Sequence, residues 1–155
     1  MARERLSEHF WLDELLVSSV ADERGIANDP QPAHLENMRR HLAPGLEQLR
    51  ALIGGKPIVV MSAYRNPEIN RLVGGTATSA HPLGFAGDIR AAGLSSLDLA
   101  RRIAAAMTAK AIKIDQLIWE SGRNVVHVSF DPRARMMAGR QAGGPRTAIN
   151  WRYFR

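Results

Sequence analysis

The stretch "DQLIWESGRNVVHVSF", residues 115–130, holds two runs of alternating character around four turn-forming residues. Leu117 and Trp119 alternate with Gln116, Ile118 and Glu120. Beyond "SGRN", Val126, Val128 and Phe130 alternate with Val125, His127 and Ser129. Period-two patterns joined by a short polar connection specify a β-hairpin. If Ser121 to Asn124 make the connection, Glu120 lies opposite Val125 and Ile118 opposite His127. Opposite positions share a face, as do positions two apart on one strand. Glu120 is then a diagonal same-face neighbour of His127, about 7–8 Å away between backbone positions. A three-residue connection would shift the register and turn Glu120 away. The other face keeps Leu117, Trp119, Val126, Val128 and Phe130 for a core.

Working outward, "FAGDIRA" (85–91) reads as a strand with Ala86, Asp88 and Arg90 on one face. "KPIVVMSAY" (56–64) is β-branched and reads as another. Asn66 and Pro67 suit an N-cap and first helical position for a short helix to about Val73. Ser95, with Asp98 three residues on, caps a helix through about Met107. A longer helix spans about Ala33 to Ile53, its apolar stripe formed by Leu35, Met38, Leu42, Leu46, Leu49 and Leu52. Pro44 should kink it. Near the N-terminus, "LSEHFWLDELL" gives a docking segment and a helical turn. Helices interspersed with strands and short connections give an α+β class with a small, mainly antiparallel sheet.

The 155 residues make one domain, 1–155, with a basic segment from about 131 onward: six arginines against one aspartate, within a net charge of +6. A basic tail suits an anionic partner such as wall polymer, lipid or nucleic acid. No apolar run is long enough to span a membrane, and no secretory signal is visible at the N-terminus. There are no cysteines, so any metal must be held by His, Asp or Glu.

Five histidines are available. His34 and His41 share one helical face without a fixed carboxylate, and His9 sits among apolar residues; none of the three has a convincing partner. His81 lies in a glycine-containing loop leading to the strand with Asp88, and His127 lies in mid-strand of the hairpin. A loop histidine, a strand carboxylate and a second strand histidine could supply three ligands and leave a fourth position for water. Such spacing also occurs by accident.

"SAHPLGFAGD" (79–88) fits an S-x-H-x-x-G-x-A-x-D motif. It resembles that of zinc-dependent peptidoglycan peptidases, the D-alanyl-D-alanine carboxypeptidases and phage-endolysin L-alanyl-D-glutamate endopeptidases. "SAYRNPEIN" (62–70) is similar to their S-x-Y-R segment and "VVHVSF" to their third-ligand strand; the N-terminal half resembles the phage and prophage branch. The resemblance, over about 7–130, implies a DD-peptidase/hedgehog-like fold with helices on one side and the zinc site on the open face of the sheet. It implies one Zn²⁺ held by His81, Asp88 and His127, and Arg65 orienting a substrate carboxylate or carbonyl, for which its planar fork is suited. Ser79 is a candidate hydrogen-bond donor near the site or a loop residue. Gly84 and Gly87 are candidates for close backbone approach to metal or substrate, and Asp115 for a turn residue.

Many members carry the general base three residues before the last histidine, where this chain has Asn124. Either Glu120 takes the proton from water, as the register favours, or the chain is catalytically weak. The reading is a peptidase that cleaves peptidoglycan stem peptides at either the terminal D-Ala-D-Ala link or the L-Ala-D-Glu link, with the oligomeric state left open and a monomer favoured. Made without a visible export signal, it would reach the wall after holin release or within a virion. A non-catalytic wall-binding or phage structural domain, and a nucleic-acid binder using the basic tail, are the rivals; Trp151, Tyr153 and Phe154 in that tail could also form a terminal strand.

Overall fold

Five strands, β1 (Ile58–Ser62), β2 (Ala86–Ala91), β3 (Gln116–Glu120), β4 (Val125–Ser129) and β5 (Met137–Gln141), form one sheet in a computed structural model describing residues 3–155. Their order is β1-β2-β4-β3-β5. All pairs are antiparallel except β3 with β5, which is parallel. The hairpin has the four-residue connection: Glu120 pairs with Val125 and Ile118 with His127. Strand β2 packs on the other side of β4, setting Asp88 directly opposite His127.

Register divides the sheet into two chemically distinct faces. Ile89, Leu117, Val126 and Val128 are fully buried in the core beneath the longer helices. The core is closed by α4 (Ala43–Leu52) and α6 (Ser96–Thr108), which bury Leu46, Leu49, Leu99 and Ile103. Gly45 lets α4 come close, since a Cβ there would meet the Phe130 ring at 2.5 Å. Ser95 caps α6 by accepting from the Asp98 N–H at 3.0 Å, as the sequence predicts.

The long helix is interrupted as expected, but by a wider turn instead of a simple kink. After α1 (Leu12–Leu15), α2 (Ser19–Arg24) and α3 (Pro32–Asn37), residues Met38–Leu42 form a π-helical turn leading into α4. The Ala43 N–H bonds to the Met38 carbonyl, five residues back. Pro44 has no N–H, and its ring collides with a carbonyl four residues back in a regular helix; widening the turn just before it relieves both problems. The buried stripe holds through Leu49 and ends on Ile53, while Leu52 is exposed.

Two elements were not expected from the sequence. Helix α2 is capped by Ser18, which accepts from Ala21 N, in a stretch to which the sequence reading assigns no element. Strand β5 lies within the basic segment, which is therefore part of the sheet and not a tail. No terminal strand forms from Trp151, Tyr153 and Phe154. Asn150 bridges to Arg140, the chain turns, and Tyr153 packs 5.4 Å from Trp119. Among the described residues no helix is long and apolar enough to cross a membrane.

Candidate metal centre and cleft

Three elements bring three ligand atoms together. His81 opens a short 3-10 turn, His81–Leu83, that follows α5 (Pro67–Leu72) and its loop. Asp88 is central in β2 and His127 central in β4. His127 Nδ1 is 3.0 Å from Asp88 Oδ1, His81 Nε2 is 3.2 Å from the same oxygen, and the two ring nitrogens are 3.3 Å apart. Zinc bonds of about 2.0–2.2 Å give a tetrahedron edges of roughly 3.3–3.6 Å. The triangle is therefore one tetrahedral face to within a few tenths of an ångström.

Protonation also fits a metal. His81 Nδ1 lies 2.6 Å from the Ala63 carbonyl, so Nδ1 carries the hydrogen and donates it, leaving the Nε2 lone pair toward the triangle. Burial holds the His81 pKa down, toward the neutral ligand form. For Asp88 burial acts upward, but the charges and hydrogen bonds of His81 and His127 outweigh it, and the carboxyl stays well below its ordinary range. A deprotonated carboxylate and a neutral imidazole are the forms that bind zinc.

Glu120, at the end of β3, is 7% exposed and shares the face of Ile118, Asp88 and His127. Burial, followed by the Asp88 charge, raises its pKa, as suits a proton acceptor. Arg123, in the hairpin turn, places Nη1 3.3 Å from both Glu120 oxygens and 3.9 Å from Asp88 Oδ2. Arg65 is almost buried; its Nη1 is 3.6 Å from Asp88 Oδ2 and 3.3 Å from Ser62 Oγ, and its Nε has no partner among the described residues. The guanidinium lines the cleft, so its outer edge, not the enclosed Nε, is what can meet a further anion.

These side chains line a cleft of about 450 Å³. One rim is the 73–80 segment. Ser79 lies there, and its Oγ accepts from the His81 backbone N–H at 3.3 Å, so it shapes the turn that presents His81. Gly84 and Gly87 do not serve close approach to the metal group. Gly84 (φ 81°) packs on α3, where a Cβ would meet the His34 carbonyl at 2.5 Å, and Gly87 makes only ordinary contacts on the core side.

Asn124 is no candidate for the base. It takes φ 54°, and its Oδ1 accepts from Ser96 Oγ at 2.7 Å. Trp119 Nε1 donates to the same Ser96 Oγ at 3.0 Å, so Asn124 belongs to the helix-side face of the hairpin. The remaining histidines stay outside the group: His9 pairs with Glu47 at 2.8 Å, and His34 and His41 stack near Tyr64 and Phe85.

Asp115 is more than a turn residue. It is buried and takes Arg135 in a two-pronged ion pair, with Nε at 2.9 Å and Nη2 at 2.8 Å. Arg123, Arg133 and Arg135 all line the cleft and were missed as site residues. For Arg123 a signal existed in its spacing of three from Glu120. For the other two, only the unrecognised strand β5 brings them near.

A family model described as Peptidase M15 matches residues 8–129. No curated protein matches the chain at a significant level.

Proposed function

The chain belongs to the peptidase M15 family, and on that premise we propose a zinc metallopeptidase that hydrolyses a peptide bond in peptidoglycan stem peptides. The observation that carries this reading is the tetrahedral-sized triangle of His81, Asp88 and His127 on the cleft face, with Glu120 beside it. His81 Nε2, Asp88 Oδ1 and His127 Nδ1 would hold the ion. Zinc bound there supplies Lewis acidity, polarising a carbonyl and acidifying water.

The remaining chemistry belongs to the chain. Glu120 takes the proton from the attacking water at its carboxylate and returns it to the leaving amine nitrogen. Arg65 orients a substrate carboxylate or carbonyl with the cleft-facing edge of its guanidinium and stabilises charge developing on oxygen. Ser79 fixes the His81 turn and lines the cleft at substrate height. The substrate bond is either the terminal D-Ala-D-Ala link or the L-Ala-D-Glu link. The resemblance to phage and prophage members supports a phage-encoded role, with wall access after holin release or from a virion.

The test uses purified chain loaded with measured zinc and incubated with muropeptides, followed by mass spectrometry. Zinc-dependent cleavage, lost with chelator and restored by zinc, is expected. Release of free alanine identifies the terminal link; a new glutamate N-terminus identifies the internal one. Intact muropeptides at stoichiometric zinc would refute the reading.

A further inference from the structure

The family match ends at residue 129, yet the cleft does not. Arg133, Arg135, Gln141, Pro145 and Ile149, all beyond it, form part of its wall, with Pro145 lying against Gly74 of the 73–80 rim. Gln141 is buried and holds the 142–149 loop from beneath, its Nε2 donating to the Pro145 carbonyl at 3.3 Å and the Thr147 carbonyl at 2.8 Å. This wall is a built feature belonging to the chain's own C-terminal segment.

Within it, Arg135 is held unusually firmly. Both carboxylate oxygens of Asp115, whose side chain is 1% exposed, take its Nε and Nη2, and its own backbone N–H donates to Asp115 Oδ1 at 3.0 Å. Residues on either side, Ala134 (φ 45°) and Met136 (φ 56°), are both non-glycine residues in the left-handed region. Such conformations cost free energy and persist where the surroundings impose them, often where a side chain must be aimed. Here the Met136 and Met137 N–H groups bond to the Ile114 and Asp115 carbonyls at 3.0 Å each, pinning the segment to the start of β3. Arg135 remains 39% exposed, and its Nη1 makes no hydrogen bond among the described residues. Four arginines line the cleft against the carboxylates of Asp88 and Glu120.

We propose that Arg135, clamped by Asp115, is a specificity-determining residue that receives a carboxylate of the substrate chain away from the scissile bond. Asp115, just before β3, lies three residues from Ile118, the partner of His127, which is roughly 10 Å at strand spacing. That distance is two or three residues of an extended peptide. Counted from a terminal D-Ala-D-Ala link, stem peptides offer such a group on the glutamate, which is joined through its side chain and keeps its α-carboxyl free; at the L-Ala-D-Glu link that carboxyl sits on the scissile residue itself, so the inference goes with the terminal link. The inference rests on the peptidase reading for the identity of the ligand, but its geometry can be tested without turnover.

The probes are two synthetic pentapeptides, L-Ala–γ-D-Glu–L-Lys–D-Ala–D-Ala, with the glutamate α-carboxyl either free or amidated. Their equilibrium binding is measured on the zinc-loaded full chain carrying Glu120→Gln, so that neither is consumed. The acid form is expected to bind at least about tenfold more tightly. Adding Arg135→Gln should bring its affinity down to that of the amide while the amide's Kd stays within about twofold. Because Arg135→Gln strands the buried Asp115 carboxylate, Asp115→Asn/Arg135→Gln, which removes both charges, must give the same loss of discrimination. Arg133→Gln should leave the ratio intact. Equal binding of the two peptides by the parent, an unchanged ratio after either Arg135 substitution, or its loss in Arg133→Gln would overturn the proposal. A retained, Arg135-dependent ratio with no hydrolysis by the native chain would sink the peptidase reading alone. Hydrolysis with no Arg135-dependent ratio would sink this one alone.

Discussion

Glu120 owes its place to a single unit of register. The four residues "SGRN" put it on the face of His127; one residue fewer would have sent it to the core side. If it is the proton acceptor, Glu120→Gln should lower kcat by about 10²–10⁴-fold while zinc content is unchanged, which turnover and metal analysis together would check. Full activity in that variant would remove Glu120 as the base. The charge of Arg123 at 3.3 Å favours the ionised form of Glu120 and so lowers its pKa. Replacing Arg123 by Met removes that help and raises the pKa. A base works only when ionised, so the acid limb of the kcat/KM profile should move to higher pH in Arg123→Met. A limb that stays put or moves down would show that another group sets it.

At the scale of elements, the hairpin is fastened to α6 by a chain of three polar side chains. Trp119 Nε1 and Ser96 Oγ donate in turn, ending on Asn124 Oδ1. Ser96→Ala removes both bonds, one of them from a part-buried indole N–H, while the exposed Asn124 amide can turn to water, so the cost should be about 0.5–1.5 kcal/mol in urea unfolding. The metal affinity should not change, because the chain lies on the opposite face. The hairpin, the Asn66 and Ser95 caps and the division of the sheet into two faces were legible in the sequence because alternation and capping are local codes. The grouping of His81 with Asp88 and His127 needed more: spacing alone left it open, and the resemblance in "SAHPLGFAGD" brought the three together. Strand β5 was illegible for a physical reason. "MAGRQ" has no alternation, lies half-exposed at the sheet edge, and joins β3 in parallel after the chain has crossed from β4, so no local signal marks it. With β5 went the C-terminal part of the cleft's wall, and Arg133 and Arg135 read as surplus charge. Asn124 misled in the other direction, since its side chain answers to a left-handed turn and to Ser96, not to catalysis.

For the whole molecule, a zinc ion held by the proposed ligands would act as a crosslink. Its ligands come from the 3-10 turn, β2 and β4, and in the unfolded chain His127 is 39 residues from Asp88. Collecting them without the fold costs loop-closure entropy on top of ordering each side chain. The folded chain, by contrast, holds the three atoms at 3.0–3.3 Å, with His81 already fixed in the ligand tautomer by Ala63. Zinc must therefore favour the native state strongly over the unfolded one, and linkage converts that preference into stability. Free zinc at about 100 times its Kd should add roughly 2.7 kcal/mol. At about 2–4 °C per kcal/mol for a chain of this size, the melting temperature should rise by roughly 5–11 °C. Differential scanning calorimetry with and without chelator measures the shift. His127→Ala removes one corner of the triangle and should abolish most of it, whereas His41→Ala, whose ring only packs near Phe85, should leave it intact. A zinc-dependent shift that survives His127→Ala, or disappears in His41→Ala, would place the ion somewhere other than the sheet's cleft face.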